Sequence, residues 1–127
     1  MTNSTKNSSP TRSRDKVLQT LYELELSGED LKDVLKNHSS EKSNIFYNDI
    51  LKGVLDNQEN IDEVIQKNLD RPIKQLDVIE KNALRIALFE LKIKELDSAI
   101  IINESIRMTK KYGSVEGYKL VNAVLDK

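Results

Sequence analysis

Three features of the 127-residue sequence predict an all-α fold. Between Ala83 and Ile93 only Arg85, Glu90 and Lys92 interrupt a run of apolar residues, the pattern of a helix covered on several sides. Elsewhere apolar residues recur at three- and four-residue steps. Four glycines and two prolines are too few for the turns of a β sandwich or barrel, and the abundant Leu, Ile, Lys, Glu and Asp favour helices. Six or seven helices are expected around a central buried helix at about 77–93.

The elements follow in order. Residues 1–11, MTNSTKNSSPT, are polar and interrupted by Pro10. They cannot bury apolar surface, so a disordered arm is expected ahead of one helical domain at 12–127. Thr11 or Ser13 is expected to cap a first helix ending near Leu26, with Val17, Leu18, Leu21, Tyr22 and Leu24 at helical spacing and Gly28 breaking it. A short second helix at 30–36 presents Leu31, Val34 and Leu35, and the polar stretch 37–43 reads as a loop. A third helix at 45–56 carries Phe46, Tyr47, Ile50, Leu51, Val54 and Leu55. Gly53 inside it costs about 1 kcal/mol relative to Ala, which implies close approach of another helix. Asn60 and Glu63 suggest a capping arrangement for a fourth helix that Arg71-Pro72 stops.

Asp77 is the expected entrance to the central helix. Lys81, Arg85, Glu90 and Lys92 form a narrow polar stripe along it, an edge left open for a site. Asp97 or Ser98 caps the next helix, with Ala99, Ile102, Ile106 and Thr109 on one side. Lys110 and Lys111 complement the dipole of its last turn, and Gly113 supplies a stop. Ser114 is expected to cap a final helix built on Leu120, Val121, Val124 and Leu125.

The length fits one domain with one real core. Hydrophobic residues at 38% and charged residues at 32% describe a soluble protein with a charged surface. Cysteine is absent, which removes disulfides, thiolate metal sites and a Cys nucleophile. No stretch resembles a signal peptide or membrane span, so a reducing cytoplasm is expected. The net charge of −1 does not advertise nucleic acid, but Lys6, Arg12, Arg14 and Lys16 face only Asp15 near the start. A basic arm on a mildly acidic body hints at an anionic partner.

Catalytic chemistry finds little support. The single histidine, His38, lies in a polar loop beside Ser39 and Ser40; without an orienting acid this is no triad, and a surface histidine is expected. The acids are spread over outward faces, with no metal-ligand spacing. GSVEGYK at 113–119 lacks phosphate-loop spacing and follows a helix, not a strand. A binding surface remains. Arg12, Arg14 and Lys16 can meet phosphates, Gln19 lies one turn beyond Lys16, and Tyr22 offers a ring to an unpaired base. Packing beside Leu18 and Leu21 is the competing use of Tyr22.

In this order and at these distances, the segments resemble the NusB family of antitermination factors. The resemblance runs from Arg12 to Asp126 and is carried by Lys16-Val17-Leu18-Gln19-Thr20-Leu21-Tyr22, Gly53-Val54, the block Val78 to Leu91, Ile102-Asn103-Glu104-Ser105-Ile106, Lys110-Lys111-Tyr112-Gly113, and Leu120 to Asp126. It implies two small helical bundles and no enzymatic activity or cofactor. It also implies a heterodimer with the ribosomal protein NusE that binds the boxA element of nascent rRNA leaders. With other Nus factors and, indirectly, RNA polymerase, such complexes suppress premature (Rho-dependent) termination and assist rRNA synthesis and maturation. By position, the family's RNA-contacting residues fall on Arg12, Arg14, Lys16, Gln19, Tyr22, Glu80, Lys119 and Asn122. Glu116 matches an acidic position that influences complex strength.

Two departures stand out. The arm is sparser in arginine than is usual, so RNA binding is expected to be weak without NusE. Asn122-Ala123 replaces the family's Asn-Gly. The sequence leaves a homodimer open. Three rival readings fit parts of the sequence: the NusB-like domain of rRNA cytosine methyltransferases, a helical adaptor that binds only protein, and a hydrolase built on His38. The first would continue into a Gly-rich α/β half, which is not expected here.

Overall fold

The computed structural model describes residues 9–126. Among these residues it contains seven α-helices and no strand: α1 Pro10–Ser27, α2 Leu31–Lys36, α3 Ile45–Asp56, α4 Gln58–Lys67, α5 Val78–Ile93, α6 Ser98–Tyr112 and α7 Gly117–Leu125. Short 3₁₀ turns occupy Ser39–Glu41 and Ile73–Gln75. No helix is long and apolar enough to cross a membrane among the described residues.

The central helix is α5, which packs against α1, α3, α4, α6 and α7. It divides the interior into two cores. One joins Val17, Leu18 and Leu21 of α1, Tyr47, Ile50, Leu51 and Val54 of α3, Ile86 of α5 and Met108 of α6. The other joins Ile61 and Ile65 of α4, Leu76, Leu84 of α5, and Val121 and Val124 of α7. Phe89 touches both. Its ring occupies the space above Gly53, where a Cβ would fall 2.0 Å from Phe89 Cζ. The close approach expected at that glycine is there, and the approaching helix is α5.

Caps set the helix boundaries, and several differ from expectation. α1 starts at Pro10, since Pro is tolerated where the first N–H has no helical partner, and the Ser9 side chain accepts from Arg12 N. Thr11 and Ser13 therefore lie inside the helix, and the polar arm ends before Pro10; residues 1–8 of that arm lie outside the described residues. Gly28 ends α1 in the left-handed conformation, φ 72°. Asn44 caps α3, Asp77 caps α5 and Asp97 caps α6. α4 begins at Gln58, which places Asn60 inside it. Gly113 ends α6 in extended backbone rather than a left-handed turn. α7 begins at Gly117 and not after Ser114.

Most of the polar stripe of α5 is covered, contrary to expectation. Glu90 takes both ends of the Arg14 guanidinium at 2.7 Å. Arg85 donates to Asp62 at 2.9 and 2.8 Å, and Lys81 pairs with Glu25. Neighbouring helices carry opposite charges to Lys81, Arg85 and Glu90, so this part of the edge is neutralised rather than open, while Lys92 near the end of α5 is exposed beside Asn57. His38 is also no surface histidine. It is 7% exposed, and its Nε2 lies 2.7 Å from Glu23 Oε2 on α1.

Candidate nucleic-acid interface

A groove of about 540 Å³ opens where α1 passes the entrance of α5 and the α6–α7 turn. Leu18, Gln19, Tyr22 and Glu23 form the α1 side; Asp77 and Ile79 face them, and Tyr112, Gly113 and Ser114 close the end. Residues three and four apart share a helix face, so the burial of Leu18 and Leu21 in the core leaves Gln19 and Tyr22 on the adjacent outward strip. Tyr22 is 39% exposed and lines the groove. A half-exposed ring beside an amide side chain can stack on a base and bond its edge.

The far end of the groove depends on two glycines. A Cβ at Gly113 would lie 2.8 Å from Thr109 O and 3.3 Å from Ile79 Cγ2, so only glycine lets the chain leave α6 this close to α5. A Cβ at Gly117 would lie 2.6 Å from Glu80 Oε2. The first turn of α7 thereby rests on the Glu80 carboxylate, which accepts from Ser114 Oγ at 3.5 Å. Glu80 is 8% exposed. Burial, then the nearby Asp77 charge, pushes its carboxyl above the ordinary range, against the Asp77 backbone N–H, the Ser114 hydroxyl and the Arg71 charge. It stands behind the groove wall rather than in the groove.

The other expected site residues are dispersed. Lys16 is half-buried, one turn before Gln19. Arg12 is partly exposed and donates to the buried Glu41 at 3.2 Å. Lys119 and Asn122 lie on the exposed side of α7, Lys119 pairing with Glu116 at 3.0 Å. Arg14 requires a correction. It is 2% exposed, with Glu90 on two nitrogens, Glu104 on a third at 2.9 Å, and the Phe46 ring 5.2 Å away. In this position it meets carboxylates and cannot meet a phosphate.

Sequence reasoning passed over Tyr112, Asp77, Ile79 and Ser114 as parts of the groove, having read Asp77 and Ser114 only as caps. The usable signal was Lys110-Lys111-Tyr112-Gly113, a cationic and aromatic cluster ended by a glycine. Lys110 lies 4.6 Å from the Tyr118 ring centroid and Lys111 5.1 Å from that of Tyr112. Among the described residues no group of His, Cys, Asp or Glu is arranged to hold a metal ion.

Two helical bundles sharing one buried helix, with an aromatic-rimmed groove at their junction, define an all-α two-bundle protein. Residues 11–127 match the NusB family model, and the chain belongs to that family. It is 34% identical over 122 residues to the transcription antitermination protein NusB of Marinobacter nauticus, covering 91% of this chain and 77% of that protein. A crystal structure of antitermination factors NusB and NusE in complex with dsRNA matches with a TM-score of 0.81 and 28% identity, covering 91% of this chain and 92% of that one. NusB of T. maritima matches with a TM-score of 0.80 and 28% identity, over 94% and 89% of the respective chains.

Proposed function

We propose that this protein is a transcription antitermination factor of the bacterial cytoplasm. It acts by binding and not by catalysis: with NusE it holds boxA RNA of nascent rRNA leaders, suppressing premature, Rho-dependent termination and aiding rRNA maturation. Other Nus factors and RNA polymerase join through that complex. The observation that carries this reading is the groove with Gln19 and Tyr22 on its rim. A similar chain is bound to NusE and dsRNA, which supports the same partners here.

Roles follow from the chemistry. Tyr22 stacks on a base and Gln19 bonds a base edge, while Arg12, Lys16 and Lys119 supply phosphate contacts. Asn122 offers both donor and acceptor. Glu80, behind the wall, supports the groove and the junction with NusE, and Glu116 tunes complex strength through its hold on Lys119. Base contacts specify and phosphate contacts position.

Fluorescence anisotropy of a labelled single-stranded boxA leader, titrated with the protein alone and with NusE at two salt concentrations, tests the proposal. Scrambled and duplex RNA serve as controls. Selective binding that sharpens with NusE is expected. Tyr22→Ala should weaken it about tenfold, in line with a stacking contact of about 1–3 kcal/mol. Lys16→Ala should lower the log–log salt slope by about 0.7. Equal affinity for boxA and scrambled RNA with NusE present would overturn the boxA reading, and absence of any RNA binding there would leave a protein-only adaptor.

A further inference from the structure

A second groove, of about 620 Å³, lies between α2, the turn that follows it and the start of α3. Its floor is apolar: Leu31 and Leu35, one helical turn apart, and the buried Tyr47. Lys32 and Lys36, also one turn apart, and Lys42 stand around it. None of the described residues lining it is acidic. Lys36 has an exposed neighbour in Asp33 at 3.4 Å, a pairing of little worth in water. His38, which also lines the groove, is turned towards Glu23 of α1. Leu31 is exposed although its neighbours Val34 and Leu35 pack inward.

We propose that this groove docks an acidic amphipathic segment of a partner protein. Such a segment would lay apolar side chains spaced one turn apart over Leu31 and Leu35, and bring its carboxylates to Lys32, Lys36 and Lys42. Apolar anchors in a groove supply affinity, and complementary charge supplies orientation and on-rate. Both halves are needed to explain the site, since the lysines alone would suit any polyanion. The floor decides between protein and nucleic acid. It is aliphatic, and its one ring, Tyr47, is buried with its hydroxyl bonded to Thr20 at 2.6 Å. No lining ring presents an open face for a base.

The test is a selection of displayed random short peptides on the full chain, followed by amide NMR mapping of the winners. Peptides that shift the amides of residues 31–42 should carry Asp or Glu around Leu, Ile or Phe at three- and four-residue steps. Their affinity should fall about tenfold for Lys32→Glu with Lys42→Glu, and similarly for Leu31→Gln. These exposed positions leave the cores untouched, so melting and boxA binding should match the parent protein and keep this test separate from the RNA reading. The proposal is overturned if no selected peptide maps to these amides, or if those that do are neutral, basic or indifferent to charge reversal. A ribo-oligouridine that shifts the same amides and displaces the peptides would overturn it too, by assigning the groove to nucleic acid.

Discussion

Arg14 fastens the first helix to two others. Its guanidinium binds Glu90 of α5 and Glu104 of α6, and Glu104 in turn holds Arg107, which reaches back to Asp15 at 2.8 Å. Removing one member of a buried pair leaves the other charged and unpartnered, at a cost of about 3–5 kcal/mol. Arg14→Ala should therefore lower the urea midpoint of unfolding by an amount of that order. An unchanged midpoint, with RNA affinity alone reduced, would restore Arg14 to the RNA surface. Its inward turn was illegible from sequence because its partners lie 76 and 90 residues away. An arginine in a basic arm looks the same whether it meets a phosphate or a distant carboxylate. Glu80 gives the opposite sign. Its raised pKa means that folding favours the protonated form, so its stabilising contribution is present below the ordinary value of 4.5 and lost as pH rises through the folded pKa. At neutral pH the ionised carboxylate is a burden, relieved by Glu80→Gln, which still accepts from Ser114. That variant should unfold at higher urea than the parent near pH 7, with the advantage vanishing below about pH 4.5.

Helices were legible where an apolar period coincided with a side-chain cap. Asp77 and Asp97 each precede such a period, accept from the backbone N–H two residues on, and mark α5 and α6 where expected. Boundaries failed where an alternative cap existed nearby. Ser9 captured the start of α1 because Pro10 fits the first helical position, and α4 began without any side-chain cap hydrogen bond. The start of α7 was hidden for a tertiary reason: Gly117 packs against Glu80, and the Ser114 hydroxyl donates to that carboxylate instead of capping the helix. The groove was half legible, since helical spacing located Gln19 and Tyr22, whereas the opposite wall exists only once α5 and α6 meet. Gly53 was readable as an anomaly, and its partner Phe89 was not. With the ring wedged between both cores, an added methyl must displace it. Gly53→Ala should lower stability by about 1–3 kcal/mol, the usual range for overpacking, despite the better helix propensity of alanine. A gain in melting temperature would show that the ring moves aside freely.

Three ion-pair clusters tie the protein's N-terminal helix to its neighbours, beside the Glu23–His38 and Thr20–Tyr47 bonds, and one carboxylate in each of two clusters shapes its response to acid. Arg12 meets Glu41, Arg14 and Arg107 meet Glu90, Glu104 and Asp15, and Glu25 meets Lys81 and Arg85. Burial tends to raise the Glu41 carboxyl, but the Asn44 amide and the Arg12 charge outweigh it and hold the group below its ordinary value. Burial likewise works against Glu104, and hydrogen bonds from Arg107 and Thr11 with the Arg107 charge prevail. A depressed folded pKa contributes stability that is present above the unfolded value, 4.5 for both groups, and lost as pH falls through the folded value. Glu80 works in the other direction only above that range, so it does not offset the loss. The urea midpoint should therefore fall steadily as pH drops below about 4.5. The two depressed carboxylates act on Thr11, Arg12 and Arg14, so amide exchange should quicken first in the opening turns of α1. Gln19 and Tyr22 ride on the same helix, and groove binding should weaken with it before the α4–α5–α7 core opens. Uniform loss of protection across all seven helices would mean that the clusters do not set the order of unfolding, and that the two cores open as one.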